Sequence, residues 1–259
     1  MPDNLLSIII AEILGTMILS LVTLFVAKEM GALYAGLTVV VLALAIGRIS
    51  GAHVNPAVTF GMAVIRRTRL MLVPFYWIAQ FLGAMLAVVT VQLIAPASLA
   101  IDFSNFWTFS WPIFGLEMIG TAIFLFGLTL IQSRSDIADG LRAVGVGLSL
   151  TIGLVVASTL LTAAQNDSMT KYQKEASAVS AGKQQPAIPH AFHVNGAMLN
   201  PAVALVNTER SDAQITGSQA TKTEAARTRL TAEVILGSLV GGGVGAGIAA
   251  LIDRRRRIV

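Results

Sequence analysis

The stretch SGAHVNPAV (Ser50–Val58) returns as NGAMLNPAV (Asn195–Val203), with six of nine positions identical. Both copies centre on an Asn-Pro-Ala triplet: Asn55, Pro56, Ala57 and Asn200, Pro201, Ala202. Asparagine is a strong helix N-cap, and proline is tolerated at the first helical position, where its missing N–H removes no bond. Each triplet therefore predicts a helix start. The helices that follow, over 55–65 and 200–207, are only two or three turns long and too short to cross a bilayer.

Outward from the triplets, two more landmarks repeat in the same order. AEILGT (Ala11–Thr16) is matched by LEMIGT (Leu116–Thr121), and FLGA (Phe81–Ala84) by ILGS (Ile235–Ser238). Between them lie apolar runs of membrane-spanning length, at about 5–27, 31–48, 71–95, 112–132, 141–164 and 230–252. Repeat 1 (about 5–95) and repeat 2 (about 112–252) hold three spans each. An odd number turns the second repeat upside down relative to the first. The short helices then enter the bilayer from opposite sides and meet end to end, with their positive dipole ends at one point. The fold class is an all-α membrane protein, one domain over 1–259, with six transmembrane helices, two re-entrant half-helices and an inverted 3+3 repeat.

Composition agrees. Only 12% of the 259 residues are charged, and none lies in Met30–Gly47, Met71–Ile101 or Ala143–Asn166. Zero cysteines exclude disulfides and thiolate metal sites, and three histidines leave little for a His-rich one. No cofactor is expected. Ten of the 18 basic residues gather on one side of the spans: Arg48, Arg66, Arg67, Arg69, Arg134, Arg142 and Arg254–Arg257. The seven in the long stretch from 165 to 229 weigh little, because long loops translocate largely regardless of charge. This asymmetry is the positive-inside pattern rather than a nucleic-acid footprint. It puts both termini in the cytoplasm of a cell-membrane protein, with Arg48 as an anchor at the inner surface. The first span is no cleavable signal, since Asp3 stands where a signal carries Lys or Arg. The Ser-, Thr- and Gln-rich stretch after span five, from about 165 to 195 and onward to 229, reads as an extended outer loop.

Glu12 and Glu117 stand at matched repeat positions inside apolar spans. A carboxylate at that depth is costly unless it accepts hydrogen bonds. Re-entrant loops carry unpaired backbone N–H groups that need acceptors. Each Glu is therefore expected to brace one half-helix loop, and His53, two residues before Asn55, to stabilise the first loop by bonding its backbone or to line the inner vestibule. His190 and His193 lie close enough to Asn200 for an imidazole to hang over the outer mouth; they also read as solvated loop residues. Glycines four apart in GSLVGGGVGAGIAAL (Gly237–Leu251) permit close helix approach, within the subunit or between subunits.

These residues resemble the major intrinsic protein family, the aquaporins and glycerol facilitators. The resemblance rests on the two buried Glu, GLT at Gly36–Thr38, ISGAHVNPAVT at Ile49–Thr59 and the second triplet at Asn200–Ala202. It implies one pore per subunit in a homotetramer within the lipid bilayer, passing water or small neutral solutes such as glycerol, urea or ammonia. It also implies that Asn55 and Asn200 point into the pore, while Pro56, Ala57, Pro201 and Ala202 hold the half-helices together. The filter departs from the family: Val203 stands where an Arg usually follows the second triplet, and Ala204 where many glycerol facilitators carry Asp. Ala35 and Leu154 align with the other two filter positions, so the constriction becomes Ala, Leu and Val.

Two other readings fit an inverted repeat. A secondary transporter binds at the midplane but needs ionisable groups for coupling ions, and a structural membrane protein of the same fold conducts nothing. An enzyme is not expected, since no metalloprotease or nucleophile-elbow motif occurs.

Overall fold

The computed structural model describes residues 4–94, 101–179, 186–217 and 226–256. Parts of the expected outer loop (180–185 and 218–225) and Arg257 lie outside the described residues. Among the described residues ten α-helices run in chain order. They are α1 (Leu5–Phe25), α2 (Gly31–Ser50), α3 (Pro56–Val64), α4 (Val73–Ile94), α5 (Trp111–Gln132), α6 (Asp139–Ser177), α7 (His190–His193), α8 (Pro201–Val206), α9 (Asp212–Thr216) and α10 (Ala232–Arg256). Among the described residues six helices are long and apolar enough to cross a membrane: α1, α2, α4, α5, α6 and α10.

The two halves are built alike. In the first, α1 packs on α2 and α4; in the second, α5 packs on α6 and α10. Small residues set the distances. Gly83 of α4 lies against the Ile13 carbonyl of α1, and Gly237, Gly241 and Gly245 of α10 lie against the carbonyls of Phe114, Met118 and Ala122 of α5. The glycine ladder of the last span thus serves packing within the subunit. Between the halves, α2 meets α6 where Gly36 faces Gly147 and Thr151, which brings Ala35 and Leu154 to the same interior wall.

The fifth span, expected to end near 164, continues as helix to Ser177. At 1.5 Å per residue α6 is about 58 Å long, well beyond a ~30 Å hydrocarbon core. Seven of the thirteen residues from Gln165 to Ser177 are Gln, Lys, Ala, Met or Glu, which favour helix. An Asp167–Lys171 pair one turn apart (2.7 Å) supports it. Its base is pinned where Gln165 Nε2 donates to the Ala191 and Val194 carbonyls, both at 2.9 Å. The stretch to 229 is likewise not a bare loop. It holds α7, the capping-box helix α9 and a short parallel pairing of β1 (Ile101–Asp102) with β2 (Ala226–Arg227).

Candidate functional site

The geometry begins with Glu12. Its side chain is fully buried on α1 and faces the segment between α2 and α3. Oε1 accepts from Ser50 Oγ (2.6 Å) and the His53 N–H (3.0 Å); Oε2 accepts from the Val54 N–H (2.7 Å) and Gln80 Nε2 (2.8 Å). These bonds hold a backbone that would not otherwise persist. Ala52 and Val54 sit at φ +49° and +42°, a region that a β-branched residue rarely adopts. Gly15, one turn on from Glu12, leaves room for Val54, since a Cβ there would lie 2.6 Å from Val54 Cγ1.

Glu117 does the matching work in the second half. Its oxygens accept the N–H groups of Met198 (2.9 Å) and Leu199 (2.7 Å), and Leu199 also stands at positive φ. Gly120 leaves room for Leu199 as Gly15 does for Val54.

Each braced loop ends in its asparagine. Asn55 Oδ1 accepts the Ala57 N–H (2.8 Å), and Asn200 Oδ1 accepts those of Ala202 (3.0 Å) and Val203 (3.4 Å), so both cap helices that start with proline. The amide nitrogens then cross between repeats. Asn55 Nδ2 donates to the Leu199 carbonyl and Asn200 Nδ2 to the Val54 carbonyl, both at 2.9 Å. The N-termini of α3 and α8 therefore meet through two reciprocal bonds. A primary amide has two donors, and each asparagine spends one on this clamp.

A cavity of about 870 Å³ runs past this junction. It touches Ala52 and His53 at one end, Asn55 and Asn200 in the middle, and Asn195 and Arg210 at the other. Ala35, Leu154 and Val203, all buried, line its wall as well. Pro56, Ala57, Pro201 and Ala202 are buried in the half-helices behind it.

The bonds expected of the histidines meet a different geometry, although His53 does line the cavity. His53 bonds a side chain, not backbone: Nδ1 pairs with Thr59 Oγ1 at 3.1 Å and its ring lies on Tyr76. Neither His190 nor His193 is among the cavity-lining residues. His190 turns to Glu233 (Nε2–Oε1 2.9 Å), while His193 bonds the Arg210 carbonyl (2.9 Å) and approaches Asp212.

Sequence reasoning missed a set of supporting groups. Gln80 links Glu12 to Thr59 (3.0 Å), and the Tyr76 hydroxyl donates to the Ser50 carbonyl (2.6 Å). The clue to Gln80 is an amide midway along a charge-free span. Behind the second loop, Arg229 is fully buried, with Nη2 3.8 Å from Glu117 and Nη1 3.6 Å from Glu209. Glu209 in turn faces His190 at 3.7 Å, and Glu233 accepts the Ser110 N–H. Arg229 and Glu209 sit in the polar stretch read as loop, where nothing local marks a charge as buried.

Comparison with known proteins gives the same picture. A family model described as Major intrinsic protein matches residues 3–170, ending within α6 and before the second triplet. Aquaporin NIP2-1 of Zea mays is 32% identical over 197 residues, 72% of this chain and 60% of that protein. Aquaporin Z of Rhodopseudomonas palustris is 35% identical over 129 residues, 45% of this chain and 53% of that one. The chain spans about three fifths of the length of the Zea mays relatives it matches. Among solved structures, the X-ray structure of the aquaglyceroporin from Plasmodium falciparum shares the fold, with a TM-score of 0.55, 20% identity and 96% of both chains covered. With six membrane-length helices in this fold and a family match over most of its length, the chain is an integral membrane protein that belongs to the major intrinsic protein family.

Proposed function

We propose that this chain is a passive channel for water and small neutral solutes, and that the route is the cavity running past Asn55 and Asn200. The observation that carries this reading is that one cavity touches both asparagines and all three of Ala35, Leu154 and Val203. Each asparagine keeps one amide N–H beyond the cross-loop bond, and that donor offers a partner to a passing oxygen. The paired helix N-termini add positive potential at the same point, which disfavours cations. Ala35, Leu154 and Val203 offer no side-chain hydrogen bond, so solutes are sorted there by size and by the cost of losing hydration. Small side chains favour solutes larger than water, such as glycerol, urea or ammonia.

A transporter would need free ionisable groups in the bilayer. Glu12 and Glu117 are both engaged in holding loop N–H groups, which leaves neither to carry a coupling ion. The same reading makes the protein no enzyme and puts the termini in the cytoplasm of the cell membrane, with the Arg210 end outside. The subunits would form a homotetramer.

Stopped-flow measurement of water and glycerol flux in proteoliposomes tests the proposal. Flux of at least one above that of empty vesicles is expected; no flux of either would overturn it. Val203→Arg should reduce glycerol flux more than water flux, because a guanidinium narrows the wall while offering donors that water can use.

A further inference from the structure

We infer that Arg210 is a specificity-determining residue of this channel, a guanidinium in the wall of the outer entrance, with no acid paired to it among the described residues, that turns cations away. The inference rests on the channel reading above.

Among the described residues, three charged side chains other than histidine touch the cavity: Lys28, Glu29 and Arg210. Lys28 and Glu29 are exposed sequence neighbours of opposite sign, so their fields largely cancel. Arg210 is different. Its side chain is half-buried, its Nε is sealed from solvent without a hydrogen-bond partner, and its Nη2 reaches only the Val194 carbonyl, at 3.5 Å. Among the described residues no carboxylate comes within ion-pair distance of its guanidinium. The acids nearest in sequence are engaged elsewhere: Glu209 faces Arg229 and His190, and Asp212 faces His193.

The position is also fixed. The Arg210 N–H donates to the His193 carbonyl (2.8 Å), and the Arg210 carbonyl is bonded by His193 Nδ1 (2.9 Å). A cation on a fixed stretch of backbone, with no counter-ion among the described residues and beside low-dielectric walls, focuses positive potential into the opening. Neutral solutes feel little of it and gain a donor for their oxygens; cations meet a barrier before they reach the asparagines. The contrast with Arg229 is direct. Arg229 is more deeply buried, but two carboxylates neutralise it and it does not touch the cavity.

The chain has no cysteine, so Ser158→Cys would give a single thiol. Ser158 lines the same cavity, one helical turn from Leu154 toward the Arg210 end. Its labelling rates are compared in nonionic detergent for a cationic trimethylammonium methanethiosulfonate and an anionic sulfonate methanethiosulfonate. With Arg210 present the anionic reagent should be favoured. Arg210→Gln should lower the anionic-to-cationic rate ratio about fivefold at low salt, less at high salt, and Arg210→Lys should keep it. An unchanged ratio in Arg210→Gln would overturn the inference. Labelling does not depend on transport, so glycerol flux from the same preparation judges the channel reading separately.

Discussion

Two buried glutamates do the same task in this fold by different means. Glu12 holds the first re-entrant loop inside a network of neutral donors: two backbone N–H groups, the Ser50 hydroxyl and the Gln80 amide. Glu117 holds the second loop through two backbone N–H groups and the nearby cation of Arg229, which also faces Glu209. A carboxylate in the bilayer can thus be kept by dipoles alone or by a counter-ion. The second solution brings further charges with it, and they extend through Glu209 and His190 to Glu233. The first brace is self-contained, whereas the second is tied to the segments that precede α5 and α10.

That difference should appear in stability. Glu12→Ala strands four donors at once, and thermal unfolding in detergent should show the largest loss, about 3–5 kcal/mol. A loss below 1 kcal/mol would mean that water or rearranged backbone takes the place of the carboxylate. Arg229→Met should come next, at about 3 kcal/mol, because it leaves Glu117 and Glu209 buried without their cation. Adding Glu209→Gln should recover part of that loss, with a coupling of about 1–3 kcal/mol. Strict additivity would make the second brace as self-contained as the first. Asn55→Ala and Asn200→Ala each remove a cap and one cross-loop bond, so each should cost about 1–2 kcal/mol. Values for the pair that differ widely would break the symmetry at the junction itself. The smallest effect is expected from His190→Gln, about 1 kcal/mol or less in the same melt, because Glu233 keeps the Ser110 N–H.

The architecture was legible because it is written twice. The repeated triplets, the matched Glu-x-x-Gly-Thr segments and the charge-free spans fix six crossings and two short helices without any long-range information. Pro56 and Pro201 mark helix starts because proline has one comfortable place in a helix. The filter positions Ala35 and Leu154 needed alignment to the family, since nothing local distinguishes them from other lining residues. What stayed hidden depends on contacts between distant segments. Leu199 and Val54 receive the amides of the opposite repeat, and no sequence signal announces a carbonyl acceptor. Arg229 and Glu209 are charged residues in a polar stretch, yet the fold closes over them and leaves them fully or almost fully buried. The extension of α6 was missed for another reason: its polar residues end the membrane signal but not the helix.

The most direct measurement places a reporter on the proposed route. Val203→Cys gives a single thiol beside Asn200 in an otherwise cysteine-free chain, and mass spectrometry can establish that it is fully labelled by a small thiol reagent. The expected result is glycerol and water flux that falls toward the empty-vesicle level on labelling and returns on reduction. Flux unchanged by complete labelling would mean that solutes do not pass between the two half-helices.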